Sequence, residues 1–151
     1  MLLNGKAIEE IVAGLDWKEF ERVVAEIFEK NNFKIKQNFR FKTKNRYEID
    51  LIGVSPNFIL VADCKQWDMG RNKTSELKIA AQKQENRTDE LKKFLKNNSI
   101  AKNMMGINMK KQKFHPVIIT WVQENLVKEN KTLVVPVWKL NSFLLEVEKY
   151  L

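Results

Sequence analysis

Two carboxylates and one amine stand at strand positions where charged side chains are unusual. Asp50 lies within the apolar run at residues 47–52, and Asp63 and Lys65 close the run at residues 59–65. Ionised groups are rarely buried unless they are paired with an opposite charge or bind a cation. These three residues are therefore the first candidates for chemistry.

The spacing of the three residues predicts that they meet. Side chains alternate along a strand, so Asp63 and Lys65 project from one face and Cys64 from the other. Residues 55–57 (Ser-Pro-Asn) are typical of a turn, and a hairpin turned there pairs residues whose numbers sum to about 113. Asp50 then faces Asp63, with the Lys65 ammonium beside them.

Two facing carboxylates repel each other unless a positive group lies between them. A hard divalent cation such as Mg²⁺ binds one or two carboxylates and keeps several waters for its substrate. A lysine beside such a cation can orient water or stabilise developing negative charge. The alternative is a structural salt bridge in which Lys65 joins both Asp50 and Asp63. The residues alone leave both interpretations open.

A third carboxylate can reach this place from a helix predicted over residues 16–32. Asp16 is a good N-cap, with Glu19 three residues later, and apolar residues follow at helical spacing. At 100° per residue, Glu21 falls beside Phe28 on the edge of the apolar face. Glu21 is thus the acid of this helix best placed to reach the sheet, unless it is a boundary residue paired with a lysine.

The remaining pattern predicts an α/β fold in which a mixed sheet of about five strands is flanked by helices. The order is α-β-β-β-α-β-β-α. After the first helix, we predict strands at 33–39, 47–54 and 58–66, a helix at 74–96, an irregular segment at 97–113 and strands at 117–122 and 132–137. We expect a single domain over residues 1–151, with its core at 16–138 and a closing helix at 139–151.

Composition excludes several classes. The single cysteine rules out an internal disulfide or a multi-cysteine zinc site, and His115, the only histidine, makes no triad and is predicted to be a surface or structural residue. No apolar run approaches the roughly 20 residues that span a bilayer, and residues 1–15 do not resemble a signal peptide. We therefore expect no membrane partner and a cytoplasmic, reduced setting.

The charge of the chain is +8, from 27 basic and 19 acidic residues, and it is unevenly distributed. Residues 30–46 and 91–123 each carry seven bases and no acid. Two such stretches on one face would attract a polyanion. A solvated, lysine-rich surface is the alternative.

Three short motifs carry a family resemblance. They are Phe20-Glu21 in the first helix, Asp50-Leu51-Ile52, and Asp63-Cys64-Lys65-Gln66-Trp67. Together they resemble the PD-(D/E)xK nuclease superfamily, also called the restriction endonuclease-like fold, and most closely its Mrr-like branch, which is related to the archaeal Holliday-junction resolvases.

The resemblance is best over residues 16–67. It departs from the family pattern at Ile49, where many members have proline, and at Asp63, where the Mrr-like branch more often has Gln or Glu.

The resemblance implies a metal-dependent DNA endonuclease that hydrolyses phosphodiester bonds. It implies that Asp50, Asp63 and the Cys64 carbonyl hold Mg²⁺ (or Mn²⁺) and that Glu21 contributes directly or through water. Lys65 would position the attacking water, and Gln66 would assist.

It further implies that the basic stretches bind DNA phosphates with little sequence readout, and that a homodimer supplies two sites for cutting two strands. The alternatives are an RNA-directed nuclease of the same fold and a non-catalytic nucleic-acid-binding module. The predicted phosphate-binding residues are Lys34, Lys36, Arg40, Lys42, Lys44, Arg46, Lys110, Lys111 and Lys113.

Overall fold

A mixed sheet covered by helices on both faces positions the candidate residues. The structure, a computed structural model, describes residues 16–65, 73–121 and 127–151. Its elements are α1 (Trp17–Lys30), β1 (Lys34–Lys42), β2 (Arg46–Val54), β3 (Phe58–Lys65), α2 (Lys73–Lys96), α3 (Ser99–Met104), β4 (Lys113–Thr120), β5 (Val127–Glu129), β6 (Thr132–Pro136), α4 (Val137–Leu145) and a 3₁₀ turn (Val147–Lys149).

Within these described ranges, six strands form one sheet in the order β1-β2-β3-β4-β6-β5. β1, β2 and β3 are antiparallel neighbours, β4 and β6 run parallel to β3, and β5 is antiparallel to β6. The predicted α/β class and mixed sheet are confirmed. The prediction of about five strands missed β5, because three residues of sequence Val-Lys-Glu carry too little apolar periodicity.

The first helix follows the prediction closely. Asp16 Oδ1 accepts a hydrogen bond of 2.9 Å from the Glu19 backbone N–H, which satisfies a donor that the first turn leaves free. The apolar face is buried through Phe20, Val24 and Phe28. This buried face fixes the rotation of α1, and with it the position of every acid that the helix carries.

The sheet separates two hydrophobic cores, which we call the α1-side core and the α2-side core. Residues of β3 alternate between them, as the pleat requires. The α1-side core includes Phe20, Phe28, Leu60, Ala62, Cys64 and Phe143. The α2-side core includes Ile59, Val61, Leu91, Leu95 and Phe114. Asp63 and Lys65 therefore leave β3 on the α2 side, opposite the Cys64 thiol.

Gly53 is required by a close approach within the α1-side core. A Cβ at this position would lie 2.7 Å from two ring carbons of Phe28 and 3.3 Å from Phe33. Such contacts cannot be relieved without moving an aromatic ring that is itself buried. The missing side chain thus lets α1 pack directly on β2.

The first hairpin changes faces midway. Asn38 has a φ of +50°, a left-handed conformation that asparagine tolerates. Before it, Ile35 faces the α1-side core, and after it Phe39 faces the α2-side core. On the facing strand, Leu51 and Ile49 divide between the two cores in the same way. The tip of the β1–β2 hairpin therefore lies over α2.

Two predicted segments differ from the structure. Residues 97–113, predicted to be irregular, contain α3, whose N-cap Asn98 accepts from the Ala101 backbone N–H at 3.1 Å. The closing helix ends at Leu145, because Glu146 leaves the helical region (φ −125°, ψ 29°), and a 3₁₀ turn follows. Among the described residues, no helix is long and apolar enough to cross a membrane. The single-domain assignment stays a prediction.

Candidate active site

Asp50 lies at a fork between two strands. β2 and β3 pair from Val54↔Ile59 to Leu51↔Ala62, and the numbers of each pair sum to 113, as predicted. Beyond Leu51, toward the start of β2, the described pairs of this strand are with β1 and no longer with β3. Asp50 Oδ2 accepts a 2.9 Å hydrogen bond from the Cys64 backbone N–H, so the carboxylate occupies the place of a backbone acceptor where the ladder opens.

The carboxyl groups of Asp50 and Asp63 lie close enough at this fork for each to affect the other, and this shows in the pKa of Asp50. Burial, contact with Asp63 and the charges of Asp63 and Glu21 raise the pKa of Asp50 from 3.8 to about 7, and the Cys64 N–H opposes the shift. Two adjacent carboxylates cannot both ionise cheaply, so a proton or a cation must stand between them.

Asp63 is buried, at 8% exposure, and its Oδ2 has no hydrogen-bond partner among the described residues. Two cations lie at ion-pair distance from this oxygen, Lys65 Nζ at 3.2 Å and Arg87 Nη1 at 3.7 Å, but neither has hydrogen-bond geometry. Within the described ranges, Lys65 pairs with Asp63 and not with Asp50. The salt bridge joining both acids through Lys65 is therefore not what forms.

Arg87 and Gln84 support Asp63 from α2, and the sequence did not single them out for this role. Gln84 is fully buried and donates 2.7 Å to the Val61 carbonyl, while its Oε1 accepts 3.0 Å from Arg87 Nη1. Gln84 thus fixes this turn of α2 against β3, and the turn places the Arg87 guanidinium near Asp63. The sequence feature that could have indicated this role is a glutamine on the inward face of the predicted helix with an arginine three residues later, since residues at this spacing are neighbours on a helix surface.

Glu21 and Glu48 extend the cluster of acids. Burial, followed by the charges of Glu48 and Asp63, raises the pKa of Glu21. Glu21 is thus close enough for the charges of both acids to act on its carboxyl group. Glu48 was missed, although it lies two residues from Asp50 on the same strand; it forms a 3.5 Å ion pair with Arg40 on β1.

Cys64 contributes its backbone to the site and its side chain to the α1-side core. Burial and the surrounding acids raise the pKa of the Cys64 thiol well above its ordinary value, so the thiol is neutral. At the same strand end, the Trp121 backbone N–H donates 3.1 Å to the Lys65 carbonyl. The Trp121 ring stacks on Phe20 with centroids 5.1 Å apart, which ties α1 to the end of the sheet.

The donor set fits a hard divalent cation. It offers the unsatisfied Oδ2 of Asp63, and beside it an Asp50 carboxyl that gives up its proton readily near neutral pH. Within residues 16–65, 73–121 and 127–151, no three His, Cys, Asp or Glu side chains converge closely enough to hold an ion by themselves. Such an ion would thus take two carboxylates, a backbone carbonyl and waters, as Mg²⁺ commonly does. Glu21 as a direct ligand stays a prediction.

The predicted phosphate-binding residues separate into two groups. Arg40, Lys42, Lys44 and Arg46 occupy the tip of the β1–β2 hairpin, the end of β2 that carries Glu48 and Asp50, and all four are exposed. Lys34, Lys113, Lys110 and Lys111 lie toward the opposite end of the sheet, where Lys34 pairs with Val54, Lys113 pairs with Phe58, and Lys110 and Lys111 precede β4. Lys36 lies between the two groups, because it pairs with Ile52, which in turn pairs with Val61.

Phe58 and Asp63 are five positions apart, which corresponds to roughly 17 Å along the strand. The two basic groups therefore do not form one continuous patch around Asp63. Gln66, predicted to assist Lys65, lies outside the described residues.

A mixed α/β sheet with acids at a strand fork is the framework of a nuclease-like domain. The chain belongs to the nuclease-related domain (NERD) family, whose model matches residues 16–121 and so spans α1, the fork and β4.

The chain is also 27% identical over 136 residues to an uncharacterized protein of Archaeoglobus fulgidus, covering 89% of this chain and 94% of that protein. It is similar in structure to a crystal structure of a protein of unknown function, AF1548, with a TM-score of 0.49 and 16% identity. That comparison covers 85% of this chain, which spans only 65% of the solved chain.

Proposed function

We propose that this protein is a metal-dependent endonuclease of the PD-(D/E)xK superfamily, of the Mrr-like type related to Holliday-junction resolvases, that hydrolyses phosphodiester bonds in DNA. The observation that carries the proposal is the buried Asp63 Oδ2, which accepts no hydrogen bond from residues 16–65, 73–121 or 127–151, beside an Asp50 carboxyl whose pKa is about 7. A pair that cannot keep both charges without help is suited to bind a cation.

The ligands for Mg²⁺ or Mn²⁺ are then Asp50, Asp63 and the Cys64 carbonyl, with Glu21 contributing through water. When bound, such a cation polarises the phosphate and lowers the pKa of water. The protein's own part is to hold both carboxylates rigidly. The Cys64 N–H fixes Asp50, and Arg87 stands behind Asp63.

Lys65 is the group best placed to act on the reacting atoms. Its side chain is 34% exposed, so its ammonium can meet a substrate while one side stays 3.2 Å from Asp63. An ammonium has three donors, and after pairing with Asp63 it can still donate to the attacking water or to a phosphate oxygen. Gln66, the next residue, would assist at the same place.

DNA would be held first by the hairpin group, Arg40, Lys42, Lys44 and Arg46, because these exposed bases lie at the same end of the sheet as Asp63. Contacts to phosphates give affinity that falls steeply with salt and carries little sequence information. Cutting both strands of a duplex would take two copies of the site, and so a homodimer.

The test is cleavage of labelled linear duplex, four-way, single-stranded DNA and RNA, each with Mg²⁺, Mn²⁺ or EDTA. We expect cutting of at least one DNA substrate that stops in EDTA. Asp63→Asn should reduce it about 10³-fold or more while binding, measured by fluorescence anisotropy, is kept. Asp89→Asn, an exposed acid on α2, is the matched control and should cut normally.

Three outcomes would contradict the proposal. Cleavage by Asp63→Asn at the wild-type rate would show that Asp63 is not part of the active site. Cutting of RNA alone would show that RNA, not DNA, is the substrate. Tight binding of DNA without cutting of any substrate would indicate a binding module.

A further inference from the structure

A second concave site lies where β4 begins, at the opposite end of the sheet from Asp63. It is a pocket of about 540 Å³, within the 300–1,000 Å³ typical of small-molecule sites. Cationic and titratable side chains come to it from three elements and a turn. They are Lys92 of α2, Lys113 and His115 of β4, Lys128 of β5, and Lys131 of the following turn.

Lysines outnumber acids in and around this pocket. Among the described residues, no acidic side chain lines it, and none of its four lysines lies in an ion pair. Glu85 lies beside it, accepts a 2.6 Å hydrogen bond from the backbone N–H of Lys131 and offsets part of the positive charge. The excess of lysines creates a positive potential that an anion would relieve.

The positive charges of the pocket act on His115. Its ring is about half-buried, and burial, followed by the charges of Lys92, Lys113 and Lys128, lowers its pKa. The imidazole is therefore neutral at pH 7 and stands ready as a hydrogen-bond donor or acceptor.

Apolar side chains line the pocket from both faces of the sheet. Phe114 belongs to the α2-side core, with Lys92 Nζ 5.8 Å from the centre of its ring. Leu133 belongs to the α1-side core, and Tyr150 lies on that same side. The Tyr150 ring packs against Phe143 with centroids 5.3 Å apart, which holds it in place. A ligand here would need a negative group for the lysines and a planar, apolar group for Leu133 and the Tyr150 ring.

We propose that this pocket binds a nucleoside phosphate, with its phosphates among Lys113, Lys128 and Lys131 and its base against Leu133 and the Tyr150 ring. Lysine ammonium groups suit phosphate, and aromatic and aliphatic faces suit a base of any identity. Lys113 pairs with Phe58, which is five residues and roughly 17 Å along β3 from Asp63. The pocket is thus a separate site, and it does not depend on the proposed nuclease activity.

The single histidine makes the test direct. We would record the imidazole NMR signals of His115 while adding ATP, AMP, adenosine or pyrophosphate, with EDTA present throughout. ATP is expected to shift these signals and to raise the measured pKa of His115, because a nearby anion favours the imidazolium. Adenosine and pyrophosphate, each lacking one half of the ligand, should bind at least about tenfold more weakly than ATP.

Amino-acid substitutions test whether ATP binds in this pocket. Replacing two of the four pocket lysines, in the double variant Lys113→Gln/Lys128→Gln, should weaken ATP binding about tenfold or more, since each substitution removes a charge-assisted hydrogen bond. Lys78→Gln, an exposed lysine of α2 outside the pocket, should leave the affinity unchanged, and so should Asp63→Asn.

Unshifted His115 signals at millimolar ATP would overturn the proposal. Pyrophosphate binding as tightly as ATP would overturn the nucleoside part by showing a simple anion site. Displacement of ATP by a short oligonucleotide at equal affinity would show that the pocket belongs to the nucleic-acid surface instead.

Discussion

The two ends of the sheet use charge in opposite ways. At the fork, in the part of the chain that the structure describes, a backbone N–H and two cations contact Asp50 and Asp63, and one oxygen of Asp63 accepts no hydrogen bond. At the start of β4, lysines surround His115 without an acid among the residues that line the pocket. The first arrangement is fit to bind a cation and the second an anion. The same strands can therefore carry two sites whose electrostatic effects are separable, because about 17 Å exceeds the screening length of roughly 8 Å at physiological salt.

After Asp63, Lys65 is the residue of the fork whose replacement should reduce cleavage most. Lys65→Gln should lower the cleavage rate about 100-fold, since it removes the ammonium that would act on the attacking water or the phosphate. DNA affinity should change little. Lys93→Gln is the matched control, because Lys93 also pairs with an acid at 3.2 Å but on the surface of α2. Single-turnover cleavage and anisotropy would measure the two quantities, and equal losses in both variants would contradict the role of Lys65.

Asp50 predicts how the fork responds to pH. Its pKa is raised in the folded state from 3.8 to about 7, so between these values the folded protein binds more protons than the unfolded chain. The stabilisation is complete below pH 3.8 and is lost as the pH rises toward 7. Asp50→Asn should therefore be more stable than the wild type at pH 8 by about 2 kcal/mol, a value reduced for the partial exposure of Asp50.

Urea denaturation at pH 5 and pH 8 measures this difference. Mg²⁺ should stabilise the wild type at pH 8 and have a smaller effect on Asp50→Asn, because binding to the folded state alone raises its stability. A variant less stable than the wild type at pH 8 would show that the Asp50 carboxylate is well compensated without a cation.

Arg87 should have a smaller effect, because it acts through Asp63. Arg87→Gln removes the charge 3.7 Å from Asp63, so we expect about tenfold slower cleavage at low Mg²⁺ and a smaller loss at saturating Mg²⁺. Arg87→Lys should restore part of the rate. Arg22→Gln, an exposed arginine of α1, is the control. A loss that does not depend on Mg²⁺ concentration would assign Arg87 a purely structural role.

The fork was predictable from sequence because its geometry is local. Alternation along β3 and a turn at residues 55–57 place Asp50 against Asp63 through a short hairpin, and the observed register has the predicted sum of 113. Arg87 was not predictable in the same way. It arrives from a helix more than twenty residues later, whose rotation is set by the Gln84 bond to Val61.

The basic residues show a different reason for a partial prediction. A one-dimensional run from Lys34 to Arg46 reads as one patch, but a strand is long enough to carry its two ends to opposite ends of the sheet. The positive φ of Asn38 also reverses which side chains face inward, and no residue-type pattern indicated that reversal.

The smallest expected effect is a change in the stability of the protein due to His115, at the other end of the sheet. Its pH dependence is opposite to that of Asp50. Because the pKa of His115 is lowered in the folded state, the unfolded chain binds more protons as the pH falls below 6.5, and the protein loses stability there. His115→Asn should therefore be stabilised relative to the wild type at pH 5.5 and not at pH 8, whereas Asp50→Asn gains at pH 8. Urea denaturation of both single variants and the double variant would show additive changes if the two ends are independent. A gain at pH 5.5 that disappears when Asp50 is also replaced would show that the two ends are coupled through the sheet.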